Sequence, residues 1–267
     1  MEKVGFIGVG NMGGALAYAV CQAIPFSSVY LADACLEKAQ DVFKRTGATV
    51  SDAKTVAATC DYIFLGVKPQ GLTTLFEEIG EALSENPEAT LISMAAGVPV
   101  SRLEELAGTE RPIFRIMPNT PVLSGEGMIV YTPNAAVARD QRHFFAKMLS
   151  EAGCLMQIPE EEMDAACAVS GCGPAFVYMF IEALTRGGVA CGLSFERASA
   201  LANQTVLGAA ALNRVVEKPF EQLRQEVCSP GGSTIEGVGV LQDSDLYTVV
   251  ENAVKASYKR AKELSNA

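Results

Sequence analysis

The amino-acid sequence predicts an α/β domain built on a parallel sheet, followed by an all-helical domain. Three observations carry that expectation. Short apolar runs alternate with helical segments as far as Ile158, a glycine-rich hexad follows the first run, and no segment after Pro159 reads as a strand. Strands separated by helical patterns imply parallel pairing through right-handed crossovers.

Val4–Gly8 is a short apolar run ending in glycine, and Asn11–Ala23 follows with helical composition and no proline. Val29–Asp33 is a second run, and Leu36–Thr46 a charged, amphipathic helix. The pattern recurs at Tyr62–Val67, Thr90–Met94 and Pro112–Met117. Met128–Tyr131 and Leu155–Ile158 read as strands flanking a helix at Arg139–Ala152. Beyond Pro159, Ala175–Ala190, Phe195–Val216 and Asp245–Leu264 place apolar residues at three- and four-residue spacings, which is helical periodicity. The expected division is 1–160 for the α/β domain and 161–267 for the helical one, with Glu160-Glu161-Glu162 as a solvated turn.

Composition narrows the function classes. The 267 residues are 49% hydrophobic and 19% charged, which excludes a largely disordered chain. A net charge of −10 argues against binding a nucleic-acid backbone or an anionic membrane surface. The eight cysteines form no CxxC pair and sit mostly in apolar runs, as small buried thiols in a reducing cytosol do. With His143 as the only histidine, no clustered zinc site is expected. Because the first strand begins almost at once, no signal or transit peptide is expected, and with no uninterrupted apolar stretch of 18 residues no membrane-spanning helix is expected. A cytoplasmic protein is expected. The helical half is rich in small residues, including Gly187-Gly188 and Gly208-Ala209-Ala210-Ala211. Such residues let helices approach closely, either within one subunit or between two. Roughly 100 residues of extended helix make a thin core alone, which favours two subunits.

Gly8-Val9-Gly10-Asn11-Met12-Gly13 is GxGxxG, placed directly after the first strand and opening the first helix. In a Rossmann domain the first glycine permits the tight turn, the second admits a pyrophosphate, and the third allows helix to pack on strand. The helix N-terminus offers amide hydrogens and partial positive charge to the phosphates. Asp33 ends the second run, 20 residues after Gly13, where an acid accepts hydrogen bonds from the adenosine ribose. Its charge repels a 2′-phosphate, so the cofactor expectation is NADPH or NADH with a lean toward NADH. The other reading makes Asp33 only a cap for the helix at Leu36.

Loops at the carboxyl ends of the following strands lie over the cofactor crevice. They carry Val67-Lys68-Pro69-Gln70, where Lys68 either reaches a phosphate or ribose or is a solvated lysine. They also carry Ala95-Ala96-Gly97, small enough for backbone contact with the nicotinamide half. In Met117-Pro118-Asn119-Thr120-Pro121, two prolines either aim Asn119 at the nicotinamide carboxamide or form a rigid turn.

The residue inventory limits the chemistry. His143 lies in a charged run and is a poor acid–base candidate, and no lysine occurs between Glu160 and Glu196. An alcohol-oxidising site with a strong protein base is hard to build from this set. Reduction of a C=N bond fits, because the substrate brings its own basic nitrogen. A second motif, Ser229-Pro230-Gly231-Gly232-Ser233-Thr234, reads as a glycine-rich turn entering a helix, with Ser233 and Thr234 as caps. Its amides suit a carboxylate, and the Thr234 hydroxyl suits a ring nitrogen. A structural cap is the alternative.

On these residues the sequence resembles the pyrroline-5-carboxylate reductases. The resemblance is carried by Gly5–Gly13, Val67–Gln70, Ala95–Val98, Arg115–Pro121, Ser170-Gly171-Cys172-Gly173-Pro174 and above all Cys228–Glu236, and it covers essentially the whole chain. It implies an N-terminal Rossmann domain, and a helical domain that binds substrate, dimerises by interleaving and assembles further into rings. It implies reduction of L-1-pyrroline-5-carboxylate to L-proline with NADPH or NADH. It implies that Gly231–Thr234 holds the substrate carboxylate, that Thr234 bonds the ring nitrogen, and that Ser170–Pro174 lies beside nicotinamide and substrate. Two other classes are compatible with the motifs: another small-substrate reductase on the same plan, and a non-catalytic nicotinamide sensor.

Overall fold

The computed structural model describes residues 2–108 and 110–265. The described residues form two compact units, one of residues 2–172 with 257–265 and one of residues 173–256.

The first unit is a doubly wound sheet. Its strands are β1 (Val4–Ile7), β2 (Val29–Ala32), β3 (Thr49–Val50), β4 (Tyr62–Leu65), β5 (Thr90–Ser93), β6 (Ile113–Met117), β7 (Gly127–Pro133) and β8 (Gly153–Gln157). They stand in the order β3-β2-β1-β4-β5-β6-β7-β8. The adjoining inner strands β1 and β4 are buried along their whole length. Burial on both faces requires the unbroken apolar runs seen in their sequence. The order reverses at β1, so the crevice between the β1 and β4 ends is the topological switch point.

Two departures from the sequence reading concern this sheet. β3 is only two residues long, too short for a hydrophobic pattern. β7 runs antiparallel to β6, pairing Met117 with Val130 and Phe114 with Pro133. The reversal needs only the short loop and 3₁₀ turn at Thr120–Ser124 between the two strands, where a parallel pair would need a full crossover.

The helices on the sheet are α1 (Asn11–Ala23), α2 (Leu36–Thr46), α3 (Ala53–Thr59), α4 (Leu72–Ser84), α5 (Val100–Ala107) and α6 (Arg139–Met148). α6 ends at Met148, four residues short of the expected Ala152. Two apolar clusters lie on opposite faces of the sheet. One gathers Leu16, Val20, Phe64, Phe114 and Phe145, and the other Ile63, Leu65, Ile79 and Leu103. Phe6 stacks on Phe64 at 4.3 Å between centroids, and Phe114 on Phe145 at 4.1 Å. After β8 comes a 3₁₀ turn at Glu160–Glu162, then α7 (Met163–Ala166) and a π-helical stretch at Cys167–Gly171. The acidic run is not simply solvated, since the Glu160 carboxylate pairs with buried Arg115 at 2.8 Å.

The regular elements of the second unit's described residues are all helices: α8 (Gly173–Ala190), α9 (Phe195–Val216), α10 (Phe220–Glu226), α11 (Ser233–Gln242) and the first half of α12 (Leu246–Ser265). α8 and α9 pack tightly where Gly188 meets Ala198, and a Cβ added to Gly188 would stand 3.0 Å from the Ala198 methyl carbon. Among the described residues of this unit only Thr185, Ala198 and Ala202 are buried. Met179, Val215 and Phe220 are each at least 70% exposed. Three small buried residues cannot hold some 80 residues together against chain entropy, so this apolar surface needs a covering partner. One stretch, Glu160–Ala190, reaches the length and mean hydropathy (1.5) of a membrane-crossing helix, which the sequence reading had not expected. The π stretch at Cys167–Gly171 interrupts its regular hydrogen bonding.

Candidate active site

Gly8 has φ +95°, which favours glycine. A Cβ there would come within 2.6 Å of the Gly66 carbonyl carbon, so β1 and β4 could not stay this close at their ends. A Cβ at Gly13 would collide with the Gly8 carbonyl oxygen, and this contact seats α1 on the turn. Gly10 is different. Its φ is ordinary, and a Cβ there would meet nothing within 4 Å. It is the N-cap of α1, with no side-chain cap, so the helix presents amide hydrogens to the space beyond it. One glycine thus opens toward a ligand while two serve close packing.

The space beyond is a cleft of about 1550 Å³. Gly8, Val9, Gly10, Asn11, Met12 and Gly13 line it, together with Asp33, Val67 and Lys68. Lys38, Lys44 and Arg45 of α2 bring positive charge to the same cleft. The Asp33 carboxylate faces inward through both oxygens. Oδ2 accepts the Val9 amide at 2.9 Å and Oδ1 accepts the Cys35 amide at 2.9 Å. The acid therefore fixes the glycine-rich turn and the entry to α2, in addition to lining the cleft.

Pro69, Ala95, Ala96, Gly97 and Asn119 are not among the residues lining this cleft. Pro69 opens a 3₁₀ turn at Pro69–Gly71. The Ala95 amide donates to Ser93 Oγ at 3.3 Å. Gly97 has φ +78°, and a Cβ there would stand 3.0 Å from the Leu264 carbonyl oxygen, so the end of α12 rests on this loop. Asn119 is buried and its carboxamide is engaged within the protein. Nδ2 donates to the Ser170 carbonyl at 2.9 Å, and Oδ1 accepts the Met128 amide at 2.9 Å.

In the second unit, Ser229–Gly232 forms a tight turn closed by the Gly232 amide on the Ser229 carbonyl at 3.0 Å. Proline at the second position and glycine with φ +69° at the third are the requirements of a type II turn. Gly232 is the N-cap of α11, so Ser233 and Thr234 stand inside the first helical turn and do not act as the expected caps. Ser229, Gly231, Ser233 and Thr234 are exposed. The Gly232 amide serves the turn, which leaves the amides of Ser233 and Thr234 at the helix start for a carboxylate.

His143 is exposed on α6, far along the chain from these turns, and no group of three metal-ligating side chains occurs among the described residues. The Cys167 thiol, at the start of the π stretch, is pushed up to about 11 by burial and then by the neighbouring Cys172. It is a proton-bearing thiol at neutral pH, not a nucleophile. Sequence reasoning missed Arg115, whose guanidinium is buried beside Glu160 and Asp164. The sequence signals were an arginine inside an otherwise apolar strand and its place in the Arg115–Pro121 segment that carries the resemblance.

A Rossmann sheet, a glycine turn with one open side and an acid at the β2 end define a dinucleotide-dependent oxidoreductase. Comparison with known proteins refines that class. Residues 3–97 match the family model described as NADP oxidoreductase coenzyme F420-dependent, and residues 160–264 match pyrroline-5-carboxylate reductase dimerisation. The chain is 37% identical to pyrroline-5-carboxylate reductase of Arabidopsis thaliana, over 99% of this chain and 96% of that protein. It is 34% identical to the Pseudomonas aeruginosa enzyme of that name, over 98% and 97%. Among solved structures, the Plasmodium falciparum reductase with NADP bound superposes with a TM-score of 0.87 at 34% identity, covering 99% and 98%. The Coxiella burnetii reductase gives 0.89 at 32%, covering 99% and 98%. The chain belongs to the pyrroline-5-carboxylate reductase family. Its helical segment is the dimerisation region of that family, which accounts for its uncovered apolar surface and makes the protein a homo-oligomer.

Proposed function

We propose that this protein reduces the C=N bond of L-1-pyrroline-5-carboxylate to give L-proline, the last step of proline biosynthesis, with NADPH or NADH as reductant. The observation that carries the reading is full-length similarity to reductases of that name, joined to a glycine turn whose Gly10 side is open. The residues suit a dinucleotide. The α1 amides and Lys68 meet the phosphates, and Asp33 meets the adenosine ribose. When bound, the reduced nicotinamide supplies the hydride. Gly8, Gly10, Asn11, Met12, Gly13 and Val67 form the walls that hold it, while Pro69, Ala95, Ala96, Gly97 and Asn119 support the neighbouring loops.

The Ser229–Thr234 turn holds the substrate carboxylate on backbone amides, with Ser229 and Gly231 shaping the turn and Ser233 and Thr234 offering their N–H groups. The Thr234 hydroxyl accepts from the protonated ring nitrogen and orients it. No strong protein base is required, because the imine nitrogen carries the proton and keeps it in the product amine. Acceleration then comes mainly from orientation, with hydride and iminium carbon brought to ~3–3.5 Å. Asp33 disfavours a 2′-phosphate, so NADH serves better here than a neutral residue at that position would allow. The domains divide the work at 160/161: cofactor before, substrate and dimerisation after. The protein is cytoplasmic, and its dimers assemble further into rings.

Consumption of NADH and of NADPH, followed by absorbance with pyrroline-5-carboxylate, tests the reading. Oxidation that depends on the imine supports it. No oxidation with either cofactor would favour a nicotinamide sensor, and turnover only with other cyclic imines would reassign the substrate.

A further inference from the structure

Arg115, in the middle of β6, and Asn119, two residues past its end, both bond to the segment 160–172. Arg115, 5% exposed, places Nη1 at 2.8 Å from Glu160 Oε1 and Nη2 at 3.8 Å from Asp164 Oδ1. Asn119, 8% exposed, donates to the Ser170 carbonyl at 2.9 Å. The second attachment falls within the π stretch Cys167–Gly171, which is closed by the Cys172 amide on the Cys167 carbonyl at 2.9 Å. Isolated π turns inside helices occur often at functional sites, because the wider turn re-aims the residues it carries.

The attachments extend further. Glu160 Oε1 also accepts the Val100 amide at 2.8 Å, at the start of α5. Asp164 Oδ1 also accepts the Ser265 hydroxyl at 3.0 Å, at the end of α12. The backbone at Leu264–Ser265 in turn rests on Gly97. One buried guanidinium therefore joins four stretches of chain: β6, the loop ending at Val100, the turn at 160–164 and the C-terminal helix. Burying an ion pair costs several kcal/mol per ion before attraction is counted, and apolar residues of similar size often stabilise as well or better. What the pair supplies that apolar packing does not is direction: fixed donors aimed at chosen acceptors.

We propose that Arg115 and Asn119 are positioning residues for hydride transfer, clamping the turn at 160–164 and the π stretch to β6 and the loop that follows it. The proposal rests on the reductase reading above, in which ligands bind at the carboxyl ends of the strands. Neither side chain touches substrate or cofactor. Each acts through the segment it holds, Arg115 at its start and Asn119 at its end. Asn119 also holds the Met128 amide, so its two functions can be separated by chemistry.

Asn119→Asp separates them. The carboxylate still accepts from Met128 but has no hydrogen for the Ser170 carbonyl. The expected result is a fall in kcat of about tenfold or more, with the Kd for NADPH within about threefold of wild type. Amide hydrogen exchange over residues 167–173 should rise while that of β1 and α1 stays unchanged. Arg115→Gln should behave alike, and Arg115→Gln with Glu160→Gln, which restores a neutral hydrogen-bonded pair, should recover much of kcat. Unchanged kcat and exchange in Asn119→Asp would overturn the proposal. So would loss of kcat and cofactor affinity in equal measure. If Asn119→Asp does not fold, Arg115→Gln carries the test through the other attachment, and unchanged kcat and exchange there would overturn the proposal. Wild-type turnover is measured first. Its absence refutes the reductase reading, and the exchange data then decide the clamp by themselves.

Discussion

The Asp33 carboxylate accepts the Val9 amide at 2.9 Å, which ties the end of β2 to the glycine-rich turn. This one bond couples cofactor choice to the shape of the phosphate site. The remaining lone pairs of Asp33 are available to ribose hydroxyls, while its charge opposes a 2′-phosphate.

Asp33→Ser should therefore shift the ratio of kcat/KM values toward NADPH. It should also cost some affinity for both cofactors, because one serine hydroxyl cannot accept both backbone amides, Val9 and Cys35. Steady-state kinetics with each cofactor measures this. A strong NADPH preference in the wild type would contradict the assignment of Asp33.

Gly10→Ala and Gly13→Ala should separate ligand space from packing. Alanine at position 10 meets nothing in the protein, so the melting temperature should stay close to wild type while cofactor affinity falls. Alanine at position 13 meets the Gly8 carbonyl, so stability and affinity should fall together. Thermal melts with and without NADPH read both effects.

Thr234→Ala should lower kcat/KM by about 10- to 100-fold without abolishing turnover, which is the ~1.4 to 2.7 kcal/mol of one hydrogen bond to a charged group. An unchanged rate would remove Thr234 from the mechanism.

Alkaline pH should destabilise the protein through its buried thiols. Burial raises Cys60 from 9.0 to about 11. The folded state then holds its proton longer than the unfolded chain does. The stabilisation is complete below pH 9 and disappears as pH rises toward 11. Tyr62 is raised by burial as well and adds to the same trend. Urea midpoints at about pH 8 and about pH 10.5 should fall less in Cys60→Ala than in wild type. Equal falls would exclude Cys60 as a contributor.

The uncovered apolar surface predicts that Phe180→Glu weakens self-association. Light scattering after size exclusion should show a smaller species than wild type. An unchanged mass would place the interface elsewhere on the helical unit.

Much of this was legible in the sequence, for local reasons. α1, α2 and α9 begin and end where the sequence predicts, because glycine turns and caps mark their ends. The glycine turn was readable because all its requirements lie within six residues. Long-range pairings were not. The antiparallel direction of β7 depends on how a loop folds back, and composition does not encode it. Asn119 had two readings, aimed at the nicotinamide carboxamide or held in a rigid turn, and local spacing does not reveal that its amide bonds Ser170, 51 residues on, and Met128. The Arg115 ion pair spans 45 residues, so no local spacing reveals it. Ser233 and Thr234 have the composition of caps, but the Pro230–Gly231 turn makes Gly232 the N-cap and places both inside the helix.

The central claim is that a dinucleotide in the Gly10 cleft reduces an imine held by its carboxylate. Imine-dependent oxidation of NADH and NADPH, measured side by side with pyrroline-5-carboxylate and with proline as the identified product, tests it most directly. The account predicts turnover with both cofactors and equimolar proline. Cofactor binding without any imine-dependent oxidation would contradict it.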